Sequence, residues 1–181
     1  MPAYKKKDFP THDIRRFLEV GPIVLVSSAH KGKTNIMTMG WHMVMEFSPS
    51  LVGCLISSGN HSFEMVKASR ECVINVPTQD LATTVVKIGN TSGRDIDKFK
   101  AFGLTALPAS EVQAPLIAEC FANLECRVTD TRMVRRYNLF VLEVVAAWID
   151  PKQKNPKTIH HHGYGTFVVD GPLIHLKSRM R

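Results

Sequence analysis

At 181 residues, with 44% hydrophobic and 22% charged side chains, the chain can bury one sizeable core and is neither disordered nor fibrous in composition. Its net charge of +7 gathers in Lys5, Lys6 and Lys7, in Arg135 and Arg136, and in Lys177, Arg179 and Arg181; no aromatics interleave these runs, so the charge suits an anionic small molecule better than a nucleic-acid strand. Apolar runs such as 23–26 and 144–149 fall far short of the ~20 residues of a membrane helix, and no apolar stretch follows the basic start, so we expect one cytoplasmic domain over residues 1–181.

Pro22 to His30 reads as a first strand, and Lys31-Gly32-Lys33 as the turn into a second. That second strand, NIMTMGWHMVMEF at 35–47, holds four of the chain's eight methionines. In extended backbone Met37, Met39, Trp41, Met43, Met45 and Phe47 share one apolar face. Ile36, Thr38, Gly40, His42, Val44 and Glu46 share the other. Gly40 weakens a strand, which a closely approaching ligand or backbone can compensate; a bulge or a barrel corner is the alternative.

Ser48-Pro49-Ser50 ends this strand, and Leu51 to Ser57 forms a third. Ser58-Gly59-Asn60 breaks the pattern before a helix over 61–69, with Asn60 as its N-cap. A short strand follows at 71–77, then a helix over 80–88, a turn at 90–93 and a third short helix over 95–102. Two long strand-like runs, 118–130 and 137–150, carry most of the remaining β pattern, and 163–169 reads as a last strand. Six or seven strands with short connections and three helices predict an antiparallel β-barrel with helical inserts.

Two segments suit a ligand. The loop Ser57-Ser58-Gly59-Asn60-His61-Ser62 joins a strand to a helix start, where backbone N–H groups and hydroxyls can receive a phosphate, or simply cap the helix. Thr38, Gly40 and His42 offer a flat ring a place on the second strand. Together they point to a phosphorylated aromatic cofactor. Cys54, Cys72, Cys120 and Cys126 show no close pairing and read as reduced structural thiols; Cys120 and Cys126, six apart, would share one side of a strand. His160, His161 and His162 are adjacent and cannot all face one metal from a regular strand. No metal site and no acid, base or nucleophile constellation is assigned.

NIMTMGWH at 35–42, LISSGNHSFE at 55–64, CVINVP at 72–77 and SGRDIDKF at 92–99 resemble, in order and with comparable gaps, the flavin reductase-like family of FMN-binding split barrels, in particular its flavoredoxin branch. The resemblance covers about residues 22–169. It implies a mainly β fold, a six-stranded antiparallel Greek-key split barrel with short helices. It also implies a homodimer with non-covalent FMN near the interface, and NAD(P)H or a redox protein as electron donor. By position, Thr38, Met39, Gly40, Trp41 and His42 would run beside the isoalloxazine, whose pyrimidine edge and N5 backbone amides can reach. The methionine face would then fill the barrel. Ser57, Ser58, Asn60, His61 and Ser62 would meet the ribityl chain and phosphate, with Asn75 on the neighbouring strand and Ser92 and Lys98 approaching the phosphate. His161 or His162 would close over the flavin. The implied function is an FMN oxidoreductase, either an NAD(P)H-dependent flavin reductase or an electron carrier. The alternatives are a flavin-binding or nucleic-acid-binding barrel without catalysis and a relative acting on pyridoxine phosphate.

Overall fold

The computed structural model describes residues 5–13, 21–162 and 165–177. Its first strand, β1 (Lys7–Asp8), pairs with a partner some 140 residues away, so no local pattern announces it. β2 (Val24–His30) folds back on β3 (Lys33–Met39) through Lys31 and Gly32, both at positive φ. β4 (His42–Glu46) and β5 (Leu51–Leu55) follow, then helix α1 (His61–Ser69) and β6 (Glu71–Val76). Two more helices, α2 (Ala82–Gly89) and α3 (Lys98–Ala101), precede the short pair β7 (Ala106–Leu107) and β8 (Leu116–Ile117). The long strands β9 (Ala122–Asp130) and β10 (Leu139–Ile149) flank α4 (Val134–Tyr137), and β11 (Ile159–His161) with β12 (Phe167–Val169) makes a last hairpin. Of the expected last strand, Gly163 and Tyr164 lie outside the described residues, as do Arg179 and Arg181 of the basic tail.

The main sheet runs β3-β2-β6-β9-β10-β5-β4, with β1 added beside β10. It therefore has eight strands where six were expected. β1 supplies one of the extra two, and the other arises because the methionine-rich stretch is broken. Among the described residues no ladder joins β3 to β4, so the chain passes from one edge of the sheet to the other through Gly40 and Trp41.

That break changes which side chains fill the barrel. Met37 and Met39 do turn inward, against Val24, Val26 and their neighbours. Beyond Gly40 the alternation shifts by one residue, and such a slip exchanges the faces of everything after it. His42 and Val44 become half-buried, while Trp41 is 74% exposed and Met43, Met45 and Phe47 are about half exposed. The apolar face expected to fill the barrel thus lies outside it from Trp41 onward.

Two apolar layers hold the fold. Inside, Val52, Cys54, Ile74, Leu124, Phe140 and Leu142 meet Phe63 and Val66 of α1, with Phe63 edge-on to Phe140 at 5.4 Å. On the opposite face of β2 and β3, Leu25 and Ile36 pack under Val85 and Ile88 of α2 and Phe99 of α3. Burial on both faces explains why β2 is apolar without alternation. All four cysteines are free and buried. Cys120 precedes β9 and packs in the outer layer, whereas Cys126 lies on β9 in the inner one, so the two do not share a side of one strand.

Candidate functional site

Where β3 ends and α2 crosses it, the surface opens into a cleft of about 570 Å³. Met37, Thr38 and Met39 form its floor, continued by Gly40 and Trp41, and the last turns of α2 form a wall. The helix packs directly on the strand: a Cβ at Gly89 would lie 3.4 Å from Thr38 Cβ, an ordinary van der Waals contact. Thr38 Oγ1 donates to Val85 O at 2.7 Å and fixes the crossing. His161, Gly165 and Phe167 of the β11–β12 hairpin overhang the opening. Apart from His161, the lining is uncharged among the described residues.

A second compartment, about 330 Å³, adjoins the first and shares Met37, Thr38, Asn60, Gly89 and Asn90 with it. Its character is opposite. The start of α1 faces the 91–94 turn across it, with Arg94, Lys98 and His61 in the lining. Lys98 is buried and donates to Ile36 O and Ile88 O, both at 2.9 Å, and burial lowers its pKa. His61 is also shifted down, by burial first and then by the charges of Arg94, Lys33 and Lys98, which marks the compartment as electropositive. Asn35 donates from Nδ2 to Ser62 Oγ at 2.8 Å, while its buried Oδ1 has no partner. An uncharged slot leading into a cationic pocket is shaped for a flat, apolar ligand carrying an anionic tail, and the unsatisfied Asn35 Oδ1 for a hydroxyl donor on that tail.

The chain from residue 17 to 181 matches the family model described as the flavin reductase like domain. The chain belongs to the flavin reductase-like family. The Escherichia coli (strain K12) protein YddH is 30% identical over 177 residues, covering 90% of this chain and 94% of that protein. An Archaeoglobus fulgidus protein is 35% identical over 139 residues, 74% of this chain and 78% of its own. Among solved structures, an FMN-binding domain of a flavin reductases-like enzyme from Shewanella baltica OS155 superposes with a TM-score of 0.91 at 24% identity, covering 98% of this chain and 100% of that one. The flavoredoxin of Desulfovibrio vulgaris (Miyazaki F) gives 0.80 at 18% identity over 86% and 90%. The split-barrel fold is therefore the family's.

Within this flavin reductase-like barrel the expected site residues divide. Met39, Gly40 and Trp41 line the first compartment, His61, Ser62, Ser92 and Lys98 the second, and Thr38 and Asn60 both. Asn60 occupies the N-cap position of α1, yet its side chain accepts no bond from the helix, contrary to the cap expected of it.

Four residues fall elsewhere. His42 turns away: Nε2–H donates to Pro22 O at 2.7 Å, and burial lowers the pKa of the ring. Ser57 and Ser58 are exposed in the turn before α1 and line neither compartment; Ser57 instead accepts from Gly59 N and Asn60 N. Asn75 is wholly buried in the sheet, where Nδ2 donates to Leu25 O, Ser27 Oγ and Val73 O. Its Oδ1 accepts from Ile117 N and Asn123 Nδ2, leaving it no capacity for a ligand. Gly40 too has a different cause. A Cβ there would meet Ile23 Cδ1 at 2.9 Å, so a neighbouring side chain makes the close approach.

The site also contains residues the sequence reading passed over. Asn35, Gly89, Asn90 and Arg94 enter it, with Ile23 and Val85. Arg94 stands inside the SGRD segment that carries the family resemblance, and a cation two residues after Ser92 was a readable signal. The others depend on how α2 crosses β3, for which no spacing exists in the sequence.

Proposed function

We propose that this protein is an FMN-binding oxidoreductase that takes two electrons from a reduced nicotinamide or a redox protein and passes them on. The observation that carries the reading is the joining of an uncharged slot to a cationic pocket across Thr38 of the floor and Gly89 of the wall. Family membership and the FMN-binding description of the Shewanella relative support it.

FMN, when bound, would supply reversible two-electron chemistry, and the chain would supply position and electrostatics. Thr38, Met39, Gly40 and Trp41 would hold the ring against β3. Arg94 would meet the phosphate dianion, and Lys98 would add a fixed positive charge from below. Ser62, Ser92 and Asn35 would take the tail's hydroxyl and phosphate oxygens. Closing α2 and the hairpin over the ring would keep water from it.

We further propose a homodimer. Trp41, Met43 and Met45 form an exposed apolar face on the edge strand β4, beside the mouth of the first compartment, and edges of this kind are ordinarily covered.

The test is the visible spectrum of the purified protein, with release of any chromophore by heat and its identification by chromatography. Stoichiometric FMN, or submicromolar binding of added FMN, is the expected result. A colourless protein that ignores FMN would refute the reading. Stopped-flow reduction by NADH or NADPH then separates a reductase from a carrier reduced by a low-potential protein.

A further inference from the structure

Closing over the flavin uses the bulk of the hairpin but not the chemistry of the imidazole it carries into the first compartment. Among the described residues lining it, the one titratable side chain is His161; the cations Arg94 and Lys98 belong to the second. The ring of His161 lies 5.2 Å from that of Phe167, tilted by 47°, and the two residues are directly opposed across the β11–β12 ladder. Its neighbour His160 points the other way, as strand alternation requires, and is held by Asp170 Oδ1 at 2.9 Å and by Gly21 O at 3.2 Å. The hairpin is thus fastened from behind and presents an imidazole over an otherwise uncharged slot.

Placed there, an imidazole meets a specific chemical need. Hydride delivery to a conjugated carbonyl leaves a negative oxygen, and among the described residues lining the slot His161 is the titratable group that can protonate it. Resting on the FMN reading above, we propose that His161 is a catalytic proton donor to a neutral planar acceptor of the enone or aryl-aldehyde class. The hydride, with its electron pair, leaves reduced FMN and forms a C–H bond at the acceptor's electrophilic carbon. The π pair moves to oxygen as the imidazolium N–H breaks and the O–H forms. Solvent reprotonates the ring, and NAD(P)H restores the two electrons to the flavin.

The charged groups on the surrounding elements are Lys33 of β3, Lys87 of α2, and His61, Arg94 and Lys98 of the adjoining compartment, with His160 and Asp170 behind the hairpin. All but Asp170 are potential cations.

The experiment compares wild type, H161Q and H161F, each loaded with FMN. Fluorescence titration comes first: equal FMN affinity within about threefold shows intact folding and leaves the flavin reading standing. The probe acceptors are 2-cyclohexenone and benzaldehyde, with NAD(P)H as reductant. The variants should lose at least about tenfold in the rate of acceptor reduction. Independently of turnover, the visible band of bound FMN should differ between the wild type and H161Q, because the imidazole overhangs the slot. H161F keeps a ring against Phe167 and decides the matter if H161Q binds FMN poorly. Unchanged rates and an unchanged band in the variants, or no acceptor reduction by FMN-loaded wild type, would overturn the role of His161 alone. Failure of the wild type to bind FMN would overturn both readings.

Discussion

A methyl group on Gly93 would sit 1.9 Å from Oδ1 of Asn35, the side chain whose Nδ2 reaches Ser62 across the cationic compartment. The 91–94 turn and β3 are therefore fitted to each other through one glycine. Gly93→Ala should displace Asn35 from Ser62, destabilise the fold by about 1–3 kcal/mol and weaken FMN binding about tenfold. Gly171→Ala is the control, since a Cβ there would meet nothing within 4 Å and the residue lines neither compartment. Thermal melting and FMN titration of the pair check this; equal behaviour would remove Gly93 from the site's architecture.

Arg94 and Lys98 share a compartment but not a role. Lys98 uses two of its three donors on Ile36 O and Ile88 O, so Lys98→Met leaves two carbonyls without their donor and should lower stability by about 1–3 kcal/mol. Its loss should weaken both flavins through the loosened crossing of α2 and β3, and FMN further through the lost positive charge. Arg94→Ala should leave melting unchanged, reduce FMN affinity about ten- to a hundredfold and spare riboflavin, which has no phosphate. Parallel titrations with both flavins would expose the reverse pattern.

Acid should loosen the hairpin over the cleft. Burial alone would raise the Asp170 carboxyl, but hydrogen bonds from the Thr158 hydroxyl and amide and from His160 outweigh it and hold the pKa below its ordinary value. A carboxyl depressed by folding contributes stability above its unfolded pKa of about 3.9 and loses it as pH falls through the folded value. Protection of the Thr158 amide against hydrogen exchange should therefore decline below about pH 4. In Asp170→Asn it should be low at every pH and lose this acid dependence. A wild-type profile preserved in the variant would place the acid sensitivity elsewhere.

Met45→Glu should turn a dimer into a monomer in sedimentation velocity while leaving the far-ultraviolet spectrum unchanged. The residue is about half exposed on an edge strand, and a carboxylate in an apolar contact is strongly unfavourable. A wild-type monomer at micromolar concentration would dispose of the dimer.

Much of the fold was legible locally. Helix α1 occupies the expected 61–69, and β5, β6, β9 and β10 begin or end within a few residues of their patterns, because turn residues and apolar periodicity act over short distances. β1 was not, since its pairing with β10 spans the chain. The methionine stretch misled because alternation is readable only while the strand continues, and nothing local says that Gly40 and Trp41 leave the ladder. Likewise, Asn75 looked like a ligand residue on a strand near the site. Its five hydrogen bonds come from three different strands and the 117 backbone, a convergence set by sheet order. Arg94 was the one miss that the sequence itself offered.

The two edges of the sheet, β3 and β4, are linked by chain but, among the described residues, not by a ladder, and the linking residues Gly40 and Trp41 line the first compartment. Whatever occupies it packs against that connection. Occupancy therefore adds to the free energy of keeping the barrel shut: ligand at a hundred times its dissociation constant contributes about 2.7 kcal/mol, a sizeable fraction of a domain's total. In a cell short of that ligand, this connection is where proteases would find the chain first, so the amount of this protein would track the supply of its ligand even at a constant rate of synthesis.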